Sequence, residues 1–224
     1  MQKPLAVLFD IDETLVHTGG AGGRSWTWAF DHLHGVAADI GDHTSAGETD
    51  PEVGRQTFEG VMGRTPTDAE MAALYAAYLW HLADDIRTSE GYRMLDGAEE
   101  ALRALSDAGV VLGVISGAME GAARTKMEPA GLGRWFVFGG YGSDSPDRTE
   151  ATRAAIRKAS LLVGHDLSPT EVFVVGDTPH DVTSAHAAGA TGIGVASGKH
   201  SVDELREAGA DAVLTSLTEA FPGL

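Results

Sequence analysis

The chain has 224 residues, 43% of them hydrophobic and 22% charged, with a formal net charge of −17. This is ordinary for a globular protein with a substantial core in one or two domains. The absence of cysteine excludes a disulfide scaffold, a thiolate metal site and a cysteine nucleophile, and the acidity argues against nucleic acid, whose affinity rests on Lys and Arg.

The opening MQKPLAVLFDID is too poor in apolar residues for a signal peptide, and no run is long enough to span a bilayer, so the expected location is cytoplasmic. Residues 5–9 (LAVLF) form a short continuous apolar run, the mark of a strand covered on both faces in a parallel sheet. The run ends abruptly in Asp10 and Asp12. Ligands of open α/β sheets collect at the carboxyl ends of strands, and an extended chain would turn both carboxylates to one side with Ile11 toward the core. Adjacent carboxylates repel each other and lose solvation, so they call for a cation or a shared proton. An oxygen-only donor set suits a hard ion such as Mg²⁺, with one Asp as nucleophile and the other as proton carrier.

Residues 17–25 are a glycine-rich connector. Its Gly23-Arg24-Ser25 ending echoes a phosphate loop, but Thr18 stands where the first glycine belongs and Arg24 where the lysine does. A hinge is the expected role, with a helix from Arg24 and Ser25 to Gly35. No strand-like run follows before about Tyr92. Asp50 as N-cap and Pro51 at the first helical position open a second helix that runs to Gly63. Thr67 or Asp68 opens a third, with Leu74, Tyr78 and Leu82 at helical spacing. Residues 17–92 are therefore expected to form a compact helical insertion in an α/β core of residues 1–16 and 93–224.

Beyond it, strand-like and helix-like segments alternate. Helices are expected at 97–108, 119–129, 148–163, through 185–188 and near 202–208. Buried strands are expected at 110–115, ending in Ser116, and at 172–175, ending in Gly176-Asp177; further runs lie at 135–138, 191–195 and 212–214. The alternation implies right-handed crossovers and a doubly wound parallel sheet. In such a sheet Asp10 and Asp12, Ser116, and Asp177 with Asp181 share one rim, where Asp10, Asp177 and Asp181 would form an acidic pocket for Mg²⁺.

FDIDETL, VISGA, DRTEA and VVGDTPHDV, in that order, resemble the motifs of the haloacid dehalogenase (HAD) superfamily of phosphohydrolases. The tail AGATGIGVASGKHSVDELREAGAD is similar to the phosphoglycolate-phosphatase-like branch, whose Rossmann-like core carries an all-helical cap. The resemblance implies that Asp10 is the nucleophile that forms an aspartyl-phosphate, that Asp12 is general acid and then base, and that Ser116 donates to the phosphoryl group. It implies Mg²⁺ held by Asp10, the main-chain carbonyl of Asp12 and Asp177, with Asp181 in support. It also implies a basic catalytic residue, for which both Arg148 and Lys126 stand; the alternative for Lys126 is a solvated helix face.

The implied activity is Mg²⁺-dependent hydrolysis of a small-molecule phosphate monoester, with a phosphorylated metabolite as partner and neither nucleic acid nor membrane. The alternatives are a phosphotransferase or phosphomutase of the same superfamily, and a non-catalytic phospho-binding domain. Asp12 argues against the dehalogenase branch, which has no use for an acid there. Three positions depart from the family pattern. Glu13 replaces a frequent glycine, and Gly117-Ala118 follow Ser116 where an asparagine is common. Glu48 stands where relatives often carry arginine, which disfavours a second anionic group on the substrate.

Overall fold

The computed structural model describes residues 1–44 and 47–224. The chain begins with β1 (Ala6–Phe9), a two-residue strand β2 (Val16–His17) and three helices, α1 (Ala21–His34), α2 (Asp50–Met62) and α3 (Asp68–Asp85). It returns through β3 (Arg93–Met94), α4 (Ala98–Asp107), β4 (Val111–Ser116), α5 (Glu120–Met127) and β5 (Gly139–Tyr141). The rest is α6 (Arg148–Val163), β6 (Val172–Gly176), α7 (Pro179–Ala188), β7 (Thr191–Val195), α8 (Val202–Glu207) and β8 (Ala212–Leu214).

Six strands form one sheet in the order β5-β4-β1-β6-β7-β8, every pair parallel. This is the α/β architecture that the alternation of strands and helices implies. The period of two splits each strand between two apolar layers. Val7, Phe9, Leu112, Val114, Phe173 and Val175 enter one cluster; Ala6, Leu8, Ile115, Val172 and Val174 enter the other, with Ala151, Ala155 and Ala159 of α6. Burial on both faces is why these strands read as unbroken apolar runs.

Among the described residues no strand lies between β2 and β3, and the chain enters and leaves the three helices through this antiparallel pair. They pack through aromatic rings: Trp26 stacks on Tyr78 at 4.3 Å between centroids, and Phe30 and Phe58 are fully buried. Among the described residues no helix is long and apolar enough to cross a membrane.

Three local expectations are corrected. The hinge is shorter than residues 17–25, because α1 starts at Ala21 and takes in Gly22 and Gly23, with Gly20 in the left-handed region at its N-cap. The start of α1 lies beside Lys126 and Tyr78: a Cβ at Gly22 would be in ordinary contact, 3.9 Å, with Lys126 Nζ and Tyr78 Oη. The N-cap of α2 is Thr49, with Pro51 in the first turn, so the Asp50 carboxylate is free to bond elsewhere. The edge strand is Gly139–Tyr141, not the apolar run at 135–138. Phe136 and Phe138 serve as packing instead, and Phe138 covers Gly113 where a Cβ would collide at 2.5 Å. At Gly140 a Cβ would strike the Ala151 carbonyl at 2.0 Å, so the strand can approach α6 only as glycine.

Candidate active site

β1, β4 and β6 lie side by side in the sheet, so Asp10, Ser116 and Asp177 emerge together at their carboxyl ends. The Gly176 turn leads into α7, whose N-cap Thr178 forms a reciprocal box with Asp181. The box anchors Asp181 Oδ2 on the Thr178 N–H and hydroxyl and leaves Oδ1 for the site. A Cβ at Gly176 would overlap the Asp181 carboxyl at 2.2 Å, so glycine is what permits that return.

Carboxylate oxygens of Asp10, Asp177 and Asp181, all buried, lie within 4.8 Å of one another. Arg148, also buried at the start of α6, donates through Nη2 to Asp10 Oδ1 at 2.8 Å and to Asp181 Oδ1. Its Nε is buried with no hydrogen-bond partner, so the guanidinium keeps a donor in reserve. Burial raises the Asp10 carboxyl to about 7, with the Asp181 charge adding to the rise and Arg148 opposing it. Burial and the charges of Asp10 and Asp181 push Asp177 up to about 8. Carboxyls that resist ionisation by crowding are stabilised by a cation placed among them. The donor set is all oxygen and fits a hard divalent ion.

A second buried cation occupies the other side. Lys126 on α5 donates from Nζ to Asp12 Oδ2 at 2.6 Å. Its side chain is 9% exposed, so the solvated-face reading does not hold. Burial works against this ammonium, but Asp12, Tyr78 and Asp50 outweigh burial and hold its proton more firmly than in water. The structure therefore brings both candidate bases to one cavity, in different pairings: Arg148 with Asp10 and Asp181, Lys126 with Asp12. The side chain of Asp12 lies outside the carboxylate cluster, and the chain leaves extended geometry at a bridge between Asp12 and Val16.

Ser116 is buried, and its hydroxyl accepts from the Ala118 N–H at 3.1 Å. Gly117 explains itself here. A Cβ would meet the Glu48 carbonyl at 2.4 Å, because the start of α2 is seated on this loop. Asp50 N donates to Gly117 O at 2.8 Å, Asp50 Oδ2 accepts from Met119 N at 2.7 Å, and Thr49 Oγ1 donates to Pro146 O at 3.0 Å. Burial raises Asp50 to about 6, against the pull of Lys126. Sequence reasoning took Asp50 only for a cap residue; it is the point where the helical layer reaches the rim. Glu13 adopts φ 57°, the left-handed region the family's glycine would occupy, and its carboxylate pairs with His17 Nδ1 at 2.6 Å.

These groups line a cavity of about 290 Å³. Converging carboxylates, two buried cations and hydroxyl donors can neutralise and orient a compact polyanion such as a phosphoryl group, beside a carboxylate able to attack it.

A family model described as haloacid dehalogenase-like hydrolase matches residues 4–189. The chain is 31% identical over 191 residues to a phosphoglycolate phosphatase of Rhodospirillum rubrum, covering 83% of this chain and 77% of that protein. It is 26% identical to the probable phosphatase IndB of Dickeya dadantii, over 97% and 91% of the two chains. It is also 26% identical to the pyrophosphatase PpaX of Bacillus velezensis, over 87% and 84%. In fold it is similar to a hydrolase from Pseudomonas syringae, with a TM-score of 0.71, 21% identity and coverage of 95% and 94%. A predicted phosphoglycolate phosphatase from Haemophilus somnus has a TM-score of 0.72 at 18% identity, over 97% and 96%.

Proposed function

This chain belongs to the haloacid dehalogenase-like hydrolases, and on that footing we propose that it is a phosphohydrolase that cleaves a small-molecule phosphate monoester through an aspartyl-phosphate on Asp10. The observation that carries the reading is the buried trio Asp10, Asp177 and Asp181 joined to Arg148 at the strand ends. Asp10 and Asp177, with Asp181 in support and the Asp12 main-chain carbonyl, would hold Mg²⁺. The bound ion would neutralise phosphoryl charge and let the anionic nucleophile approach.

Asp10 Oδ attacks phosphorus, the ester P–O bond breaks, and Asp12 gives its proton to the leaving alkoxide. Lys126, hydrogen-bonded to Asp12, orients that carboxyl and keeps a proton beside it. Asp12 then takes a proton from water as the water oxygen attacks phosphorus. The P–O bond to Asp10 breaks, inorganic phosphate leaves, and Asp10 is a carboxylate again. Arg148 and Ser116 donate to the phosphoryl oxygens throughout, where positioning and charge neutralisation are most of what phosphoryl transfer requires. Residues 17–92 act as a cap that closes over the rim, excludes bulk water and chooses the leaving group. The partner is a small phosphorylated metabolite, and the site of action is the cytoplasm.

Release of inorganic phosphate from a generic aryl phosphate tests the proposal. Mg²⁺-dependent turnover that is abolished in Asp10→Asn and falls steeply in Asp12→Asn is expected. Equal, metal-independent rates in wild type and both variants would remove the enzyme reading.

A further inference from the structure

Thr49 and Asp50 open α2 in the helical layer, and both are buried, yet neither side chain bonds to its own helix. An N-cap threonine ordinarily accepts from the first N–H groups of the helix it caps. Thr49 instead donates from Oγ1 to Pro146 O at 3.0 Å. Asp50 grips a second loop from both ends, its N–H donating to Gly117 O at 2.8 Å and its Oδ2 accepting from Met119 N at 2.7 Å.

Both targets are main chain of the loops that carry the phosphoryl donors. In the loop after β4, Asp50 satisfies Gly117 O and Met119 N, Ser116 Oγ accepts from Ala118 N, and Gly142 N donates to Ala118 O. Half of these bonds come from one residue of the helical layer. Because Ser116 Oγ is an acceptor here, its own proton is left for a phosphoryl oxygen. The direction of that hydroxyl follows the Ala118 N–H, which sits between the two groups that Asp50 holds. On the other side, Pro146 lies two residues before Arg148, the first residue of α6, and Asp147 between them caps that helix.

The layers are in backbone contact at this point. A Cβ at Gly117 would meet Glu48 O at 2.4 Å, and one at Gly142 would meet Gly117 O at 2.1 Å and Pro51 Cδ at 3.2 Å. Glycine at both positions lets residues 48–51 rest directly on the two loops. Helices can be seated by apolar packing alone; here the seat is made of hydrogen bonds to the segments that aim Ser116 and Arg148.

We infer that Thr49 and Asp50 are positioning residues that set Ser116 and Arg148 on the phosphoryl group, so that the phosphoryl site is complete only with the helical layer seated. This rests on the phosphohydrolase reading and deepens it: the helical layer shapes the phosphoryl site as well as the space for the leaving group. Double-mutant cycles test it, read as kcat/KM for an aryl phosphate with Mg²⁺ and as the inhibition constant of inorganic phosphate, at a temperature where circular dichroism shows every variant folded. Asp50→Ala should lower kcat/KM by about 10–10²-fold, the scale of a small misplacement, and weaken inhibition by phosphate. In a Ser116→Ala background the same change should cost less than about threefold, because the group it positions is gone. Thr49→Val should have a smaller effect that likewise vanishes against Arg148→Met. Asp50→Asn, which keeps an acceptor for the Met119 N–H, should recover most of the rate. Equal losses with and without Ser116 and Arg148 would overturn the inference, since a merely structural role lowers every background alike. So would an Asp50→Asn variant as impaired as Asp50→Ala, which would assign the effect to the charge facing Lys126. A wild type that does not hydrolyse the aryl phosphate would instead remove the phosphohydrolase reading, and this inference with it.

Discussion

The rim of the sheet and the helical layer above it solve opposite problems with their polar residues. In the helices, ion pairs such as Arg55 with Glu52 and Glu59 stand at the surface, 41% exposed at the arginine, while the interior is aromatic. Such pairs add little to stability and constrain nothing deeper. At the rim the arrangement is reversed. Asp10, Asp177, Asp181, Arg148 and Lys126 are all buried, and the carboxyls are crowded enough to resist ionisation. A fold accepts that desolvation where the groups have something to hold. The contrast separates a rim of buried charge from a helical layer whose charge is exposed, with Asp50 as their junction.

Substitutions can break or sharpen that contrast. The largest effect is expected at Arg148, which is bound to both Asp10 and Asp181. Arg148→Met should lower kcat by about 10²–10³-fold, the usual cost of removing one preorganised donor to a developing anion. Steady-state assays at saturating Mg²⁺ would measure it, and a change confined to KM would mean that Arg148 only binds substrate.

Asp50 comes next. Asp50→Ala strips the acceptor from the buried Met119 N–H and should cost about 1–3 kcal/mol in denaturant unfolding. Asp50→Asn keeps an acceptor and sheds a charge that burial disfavours, so its stability should match or exceed the wild type. Equal loss in both variants would show that the charge, not the hydrogen bond, seats α2 on the rim.

A smaller effect follows from pH. In the metal-free protein the folded values of Asp10 and Asp177 are raised from 3.8 to about 7 and about 8. Between these limits the native state holds more protons than the unfolded chain. Stability is therefore fully present below the unfolded value and is lost as pH rises through about 7 to 8. Thermal melts in chelator should show Tm several degrees lower at pH 8 than at pH 5.5 by this contribution. Mg²⁺ should restore Tm more at the higher pH, because it binds the ionised form. A Mg²⁺ response larger at pH 5.5 would contradict the assignment. At the bottom of the scale, Arg55→Ala should leave kcat and Tm unchanged within measurement error, as surface pairs do.

Much of this arrangement was legible before any coordinates. The strands at 172–175 and 191–195 and the helix at 148–163 sit where apolar runs and capping signals put them. A run buried on both faces that ends in acid is a strong local signal. The edge strand Gly139–Tyr141 was not legible, because glycines required by close packing on α6 carry no apolar pattern. Lys126 was read as one of two candidates for the basic catalytic residue, with a solvated helix face as the alternative, and Asp50 as a cap. Their placement depends on helices meeting across the cavity, which no local spacing encodes. Glu13 was legible only as a departure from the family's frequent glycine; its left-handed backbone is visible in the structure.

The central claim is that the side chain of Asp10 takes the phosphoryl group. Rapid acid quench during turnover, followed by borohydride reduction and peptide mass spectrometry, tests it directly, because an acyl phosphate on aspartate is reduced to homoserine. The account predicts homoserine at position 10 alone, dependent on substrate and Mg²⁺ and absent in Asp10→Asn. Turnover that continues with position 10 never modified, or the label found on another side chain, would contradict it.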